Sequence, residues 1–377
     1  MLTIIVVGGG LGGLSAAIGF AKSGHLVILF EGRDNFTELG AGIQMPPNFT
    51  KVMHDWGLLE HVRAKATMPK SIIFRSYRDG QVLYEHQLTP NMEDDFGMPY
   101  LMIHRKDILG VLVKAARQLR IDLQVNSPVV KVDSENQSVT IASGETYTAD
   151  IIVGADGKRS LCRSTIVGSD QPQPTNTLVY RFTVDPGVIR QEPDLRYLVD
   201  PPSGIFNVAL TRPDPESGRV QIGPRDADLS ELQEFFSDWD PTFLKLLHAT
   251  TQYLIGDAAH ATTPYLAQGA SQSMEDGAFL QYLFPSNTSN EEVANRLTVF
   301  CERRKLRALA VRAQAQRAGE MLEMEDGPEQ EKRDLLLRQD HPIEGFPIAH
   351  ADPVLQSWLY KYGVQRDVKV GMENQRG

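Results

Sequence analysis

The chain opens on Thr3–Val7 (TIIVV), an apolar run without polar alternation, which is the pattern of a strand buried on both faces. A glycine cluster stops it. Residues 14–22 then read as a helix, and a second apolar run, Leu26–Phe30, follows Gly24-His25. Strand, glycine turn, helix and strand in this order form a βαβ unit, which sets an α/β class at the N-terminus. Residues 71–103 alternate apolar and polar around Asp79-Gly80, a turn pair suited to a β-hairpin and read as an excursion into a second domain. Asp107 can cap a helix to about residue 119. Residues 121–147 read as short strands with turns at Glu135-Asn136 and Ser143-Gly144, and the strand IIVGADG follows. Between 172 and 250 prolines are frequent and helical signal is poor until 229–239, as expected of a sheet-forming or loop-rich body. Residues 291–319, without proline and rich in Ala, Arg, Leu and Glu, predict a long helix whose charges form a solvated face. The tail after residue 320 alternates charge clusters with Pro-containing turns and has no internal repeat.

Composition narrows the classes. A chain of 377 residues can bury a large core and is expected to divide it between two interleaved domains. Its 41% hydrophobic and 23% charged content is that of a soluble globular protein. A net charge of -10, with no Lys/Arg block among aromatics, argues against a nucleic-acid partner. No membrane span is expected, and the apolar opening is read as a buried strand, turn and helix rather than as a signal peptide, because glycines interrupt it and its first basic residue after Met1 is Lys22. Cys162 and Cys301 form no C-x-x-C pair and are read as two packed thiols. The default expectations are a cytoplasmic location and a monomer or homodimer.

The chemistry begins at Gly8-Gly9-Gly10-Leu11-Gly12-Gly13, a G-x-G-x-x-G run between a strand and a helix. Gly8 permits the tight turn, Gly10 the approach of backbone to a pyrophosphate, and Gly13 close helix-to-strand packing, with the phosphates at the positive helix end. Glu31, 18 residues beyond Gly13, ends the second strand where a carboxylate can accept from ribose hydroxyls, and it disfavours a 2'-phosphate there. NAD and FAD share this ADP half, so the fingerprint leaves both open. Two further segments bear on the choice: Gly154-Ala155-Asp156-Gly157-Lys158-Arg159-Ser160 with Arg163, and Ile255-Gly256-Asp257-Ala258-Ala259-His260 followed by Thr263-Pro264, Gln268-Gly269-Ala270 and Glu275-Asp276-Gly277-Ala278.

Together these segments resemble the FAD-dependent aromatic-ring monooxygenases, the group that contains p-hydroxybenzoate and salicylate hydroxylases. Gly40-Ala41-Gly42-Ile43-Gln44-Met45-Pro46-Pro47-Asn48, Trp56-Gly57-Leu58 and Trp358-Leu359-Tyr360 resemble the salicylate-hydroxylase branch, to which fungal secondary-metabolism enzymes are also similar. The resemblance implies a Rossmann-like, GR2-type FAD-binding fold from residues 1–70, 104–165 and 251–320. It further implies a β-sheet substrate domain from 71–103 and 166–250, and a C-terminal tail from 321–377. It implies FAD as cofactor, NADPH or NADH as co-substrate, O2, and a small aromatic substrate hydroxylated through a flavin C4a-hydroperoxide. Asp257 would then bond the ribityl chain, Gly42 and Arg105 would help hold the cofactor near Glu31, and Asp156 would belong to the motif linked to FAD and NAD(P)H. Pro264, Gly269 and Ala270 would lie beside the isoalloxazine, where helix-start N–H groups stabilise negative charge on the reduced ring. A phenol also needs a base. His104 and Tyr265 are the candidates, while His260 is read as structural and no metal is expected.

The sequence departs from this family at two joins, between Tyr197-Leu198-Val199-Asp200-Pro201-Pro202 and Phe206-Asn207-Val208, and between Trp239-Asp240-Pro241 and Tyr253-Leu254-Ile255. Elements that members carry there are missing, so the substrate domain is expected to be shortened. Two readings compete with a monooxygenase: another FAD oxidoreductase such as a dehydrogenase, and a flavin-binding remnant with a truncated substrate domain.

Overall fold

A computed structural model describes residues 1–36, 42–157, 160–167, 177–191, 193–199, 206–213, 264–339 and 342–375. The opening unit is β1 (Thr3–Val7), α1 (Leu11–Lys22) and β2 (Leu26–Phe30). β1 lies between β2 and β11 (Ile151–Gly154), and β7 (Asp122–Gln124) extends β2, giving a parallel sheet of order β11-β1-β2-β7. Ile4, Ile5 and Val6 are fully buried, as the unalternating run requires. Successive side chains of a strand point to opposite faces. Ile4 and Val6 accordingly join the cluster packed under α1, whereas Ile5 and Val7 pack with Val139 and Ile141. The latter come from a second, antiparallel sheet of β8 (Val129–Asp133), β9 (Ser138–Ile141) and β10 (Thr146–Thr148). The parallel sheet is therefore sandwiched between helices and a three-stranded sheet.

The hairpin expected at Asp79-Gly80 forms as β4 (Ser71–Arg75) and β5 (Val82–Gln87), with Gly80 at φ +67°. Before it come β3 (Gly42–Met45), α2 (Pro47–Asp55) and α3 (Leu59–Arg63). After it come α4 (Asn91–Phe96), β6 (Leu101–His104) and α5 (Arg105–Gln118). α6 (Leu161–Val167) leads away from β11; beyond it β12 (Thr177–Val184) pairs antiparallel with β13 (Phe206–Pro213), and α7 (Pro186–Gln191) lies between them. The two joins where the chain is short against its family lie outside the described residues.

In the C-terminal half, α8 (Gly269–Leu283) is followed by α9 (Asn290–Leu322), which spans about 50 Å at 1.5 Å per residue. A reciprocal Ser289/Glu292 capping box starts α9. The tail forms α10 (Pro328–Leu337), α11 (Pro353–Tyr360) and α12 (Val364–Asn374). Asp367 of α12 pairs with Arg303 of α9, the Arg303 Nε donor lying 2.9 Å away. Of the two cysteines only Cys162 is packed; Cys301 lies exposed on α9, which corrects the expectation of two packed thiols. No helix among the described residues is long and apolar enough to cross a membrane.

Candidate active site

α8 is held against α1 at backbone distance. A Cβ on Gly19 would sit 2.1 Å from the Gly277 carbonyl oxygen, and one on Gly277 would sit 2.0 Å from Ser15 Oγ. Only glycine at both positions permits this crossing. Ser15 Oγ donates to the Met274 carbonyl at 3.4 Å and Ser23 Oγ to the Gln281 carbonyl at 2.5 Å. Gly12 faces Ser273. These contacts advance along both helices in the same sense, so α1 and α8 run parallel with their N-termini at one end of the molecule. Two aligned positive helix ends side by side repel each other and together attract an anion. Trp56 Nε1 donates to Gln281 Oε1 at 2.7 Å and ties the end of α2 to the same helix.

At α1 the glycine turn is as tight as the spacing demands. Gly8 lies at φ +105°, and a Cβ there would meet the Ala155 carbonyl oxygen at 2.3 Å. A Cβ on Gly13 would be 1.9 Å from the Gly8 carbonyl oxygen. Gly10 occupies the N-cap, no side chain caps the helix, and its first turn holds no acid. Glu31 accepts from the Gly9 N–H at 2.7 Å through Oε2 and from the Arg33 N–H at 2.9 Å through Oε1. A carboxylate offers about four lone-pair positions, so two remain for a ribose diol. Beyond Glu31 a cavity of about 250 Å³ opens between the residues after β2 and α5, walled by Phe36, Val113, Val125 and Arg117.

At α8 the turn runs through Pro264–Leu266 and Ala267, whose φ of +54° is the left-handed region that side chains avoid. Gln268 is the N-cap and makes no side-chain capping bond. Its Nε2, together with Ser271 Oγ and Asn48 Oδ1, is buried without a partner. Gly269 and Ala270 open the helix.

The remaining expected residues divide. Gly42 pairs with His104 across β3 and β6, which brings Gly42, His104 and Arg105 together. His104 is the N-cap of α5, its Nδ1 accepting from the Lys106 N–H at 3.2 Å. In the neutral ring the proton therefore sits on Nε2, and the free nitrogen is a donor rather than a base. The Tyr265 hydroxyl donates to Glu323 at the end of α9, and its ring fills the space beside Gly319. Asp156 follows β11 beside Gly8, and its carboxylate accepts from Ser160 Oγ and the Cys162 N–H, capping α6. Burial, reinforced by Asp156, pushes the Cys162 thiol up to about 12, so it stays protonated. Asp257 and His260, with Gly40, Ala41, Lys158 and Arg159, lie outside the described residues.

Behind the α8 turn lies a charge cluster that the sequence reading missed. Glu275, fully buried, accepts from Arg304 at 2.9 Å, from Arg307 at 3.0 and 3.2 Å, and from Asn48 Nδ2 at 2.7 Å. Arg304 also pairs with Asp276 at 2.6 Å and donates to Gln272 Oε1 at 2.9 Å. Arg307 donates to the Trp358 and Leu359 carbonyls and lies 4.2 Å from the Tyr362 ring centroid and 4.5 Å from that of Trp358. Burial alone would raise the Glu275 carboxyl, but the guanidiniums of Arg307 and Arg304 outweigh it and hold it below the usual range. Arg304 and Arg307 thus depart from the solvated face expected of the long helix. The arginine repeat three residues apart in α9 was the available signal, since i and i+3 share one helix face.

A tight glycine turn, an acid at the second strand end and two parallel helices whose uncapped starts share one end define a dinucleotide-binding flavoprotein class. The described residues fit FAD: the turn excludes side chains where a pyrophosphate passes, and orphaned polar atoms stand at the second helix start. Residues 1–245 match the FAD binding domain family. The chain is 31% identical over 405 aligned positions to the FAD-dependent monooxygenase OpS4 of Beauveria bassiana, covering 96% of this chain and 95% of the relative. It is 28% identical over 316 positions to a 3-hydroxybenzoate 6-hydroxylase of Klebsiella oxytoca, covering 74% and 79%. The solved salicylate hydroxylase substrate complex superposes with a TM-score of 0.74 at 23% identity over 98% of both chains, and CtdE in complex with FAD and substrate 4 with 0.79 at 19% over 100% and 98%. The chain belongs to the FAD-binding-domain family and is an FAD-dependent monooxygenase of the aromatic-hydroxylase type.

Proposed function

We propose that this enzyme uses NAD(P)H and O2 to hydroxylate, epoxidise or oxidatively decarboxylate an aromatic or polyketide-like small molecule. The observation that carries the reading is the parallel set of α1 and α8 with their starts at one end, one with a side-chain-free turn for a diphosphate and the other with unpartnered polar groups for a ring. The names of the relatives, a hydroxybenzoate hydroxylase among them, support the substrate class. When bound, FAD accepts electrons from NAD(P)H and passes one oxygen atom of O2 to the substrate.

In this reading Gly8, Gly10 and Gly13 cradle the pyrophosphate, Glu31 accepts from the adenosine ribose, and the Phe36–Val113–Val125 cavity takes the nucleobase. Gly42 and Arg105 flank the cofactor, and Asp257 holds the ribityl chain. Pro264, Gly269 and Ala270 border the flavin, where helix-start N–H groups stabilise charge. Asp156 shapes the turn by capping α6 beside Gly8. Residues 1–70, 104–165 and 251–320 form the FAD domain, and 71–103 with 166–250 form the substrate domain. The Tyr265 hydroxyl and the His104 Nδ1 lone pair are occupied, so proton removal from a phenol is assigned to neither. The alignment with the Beauveria relative is longer than this chain and so carries gaps, and the two short joins in the sequence are the reason to read the substrate domain as shortened.

The test is the visible spectrum of the purified protein, followed by NAD(P)H consumption with a panel of phenolic acids under labelled O2. Yellow protein, stimulated consumption and label in the product are expected. Bound FAD with no stimulation would favour the remnant, stimulated turnover without label a dehydrogenase, and a colourless protein that FAD does not reconstitute would end the reading.

A further inference from the structure

We propose that the outer face of α9 is a self-association surface, on which a second copy of this chain packs antiparallel about a two-fold axis passing between Leu309 and Ala310. The proposal is independent of the flavin reading and concerns the side of α9 turned away from the Glu275 cluster.

One side of α9 is firmly anchored. Arg304 and Arg307 are fixed by Glu275, and Val311, Ala315 and Ala318 are buried in a core with Leu359 and Tyr360. Just before them α12 closes over the helix, since a Cβ on Gly371 would meet Val299 at 2.6 Å. Beyond that point the other side is exposed at Glu302, Leu306, Leu309, Ala310, Ala313 and Arg317. At 3.6 residues per turn these six fall within about 100° of arc, roughly opposite Arg304 and Val311. Leu306 and Leu309 are 65% and 52% exposed. The result is an apolar strip on a rigidly held helix, with an acid at one end and a base at the other.

The order of these residues selects a second copy as the occupant. Outward from the midpoint between Leu309 and Ala310 the spacing is the same in both directions: Leu309, Leu306 and Glu302 one way, Ala310, Ala313 and Arg317 the other. A two-fold axis through that midpoint, perpendicular to the helix, sets each residue opposite its counterpart, as an isologous contact requires. Leu306 then meets Ala313 of the second copy, Leu309 interleaves with Ala310, and Glu302 meets Arg317. Large faces small, which lets the two helices approach closely, and acid faces base twice over. A parallel pairing would instead set Glu302 on Glu302 and Arg317 on Arg317. Within one chain the two charges lie about 22 Å apart along the helix, too far to meet, and neither forms an ion pair with another described residue. The strip buries on the order of 400 Å² per copy, below the roughly 800 Å² per partner of a standard interface. The dimer is therefore weak and concentration-dependent, with a Kd on the order of 10 µM.

The experiment is sedimentation velocity of the full-length chain, with FAD at saturation, from about 1 to 100 µM protein. It compares wild type, Leu309→Glu, Glu302→Arg and the exchange Glu302→Arg/Arg317→Glu, with far-UV circular dichroism to check that each is folded. Wild type is expected to pass from monomer to dimer across the range, and Leu309→Glu to stay monomeric throughout. Glu302→Arg, which turns two attractions into two repulsions, should weaken the dimer about 10-fold, and the exchange should return it to within about 2-fold of wild type. If Leu309→Glu does not fold, Leu309→Gln is read in its place. Wild type that stays monomeric at every concentration overturns the proposal, whether the strip faces water or is covered by the chain itself. A dimer that Leu309→Glu leaves intact assembles through another face and overturns it too. Loss of the dimer in Glu302→Arg without recovery in the exchange overturns the antiparallel register, and the proposal with it.

Discussion

Replacing Glu275 by leucine should be among the most destabilising single changes in the protein. The cluster of Glu275, Asp276, Arg304 and Arg307 is neutral as it stands, and the substitution leaves one net positive charge in the interior. Arg304 keeps Asp276 at 2.6 Å, so the unpaired cation is Arg307. Removing one partner of a buried pair costs roughly 3–5 kcal/mol. Arg307 retains two backbone carbonyls and two aromatic faces, so the expected loss is near the lower end, about 3 kcal/mol, against a total stability of roughly 5–15 kcal/mol. Urea unfolding at pH 7 followed by far-UV circular dichroism, at saturating FAD, measures it. The decisive comparison is the double variant Glu275→Leu/Arg307→Met, which restores neutrality and should recover at least half of the loss. A single variant within about 1 kcal/mol of wild type, or a double variant less stable than the single, would refute the reasoning. Because the Glu275 carboxyl is held below its usual range, its contribution is intact above the unfolded-state value and disappears only as pH falls through the folded one.

Three further outcomes are expected. Gly13→Val places a Cβ within 1.9 Å of the Gly8 carbonyl oxygen, so the β1–α1 turn must open; FAD affinity, read by fluorescence quenching, should fall by about 100-fold or more. His86 and His350 are each lowered to about 4, chiefly by burial and for His350 also by His86, and Gln356 Nε2 donates to His86 Nε2 only while that ring is neutral. The unfolded chain therefore binds more protons between about pH 6.5 and 4, and urea stability should decline as pH falls through that window, by less in a His86→Gln/His350→Gln variant. His104→Ala removes the α5 cap and should cost about 1 kcal/mol in the same unfolding assay, while the pH dependence of kcat with a phenolic substrate stays unchanged. A shifted kcat profile would instead return His104 to the chemistry.

Local pattern carried much of the fold. The unalternating run of Thr3–Val7, the glycines at 8, 10 and 13 and the acid at 31 specify a βαβ nucleotide unit through contacts within about thirty residues, because turn geometry and side-chain periodicity are short-range properties. The Asp79-Gly80 hairpin and the long proline-free helix were legible for the same reason. The starts of elements were less so: α5 begins at Arg105 under a His104 cap rather than at Asp107, since a histidine nitrogen can do what a carboxylate was expected to do. What the sequence could not carry is pairing between distant segments. Asn48 meets Glu275 across 227 residues, Ser15 meets Met274 across 259, and Arg307 meets the Trp358 carbonyl across 51. Whether an arginine on a charged helix faces water or a buried carboxylate, and whether an amide offers its donor or its acceptor, depends on the neighbour that tertiary packing supplies. The nucleotide cradle was thus written locally. The parallel set of the two helix starts and the buried charge cluster were decided only when the chain folded.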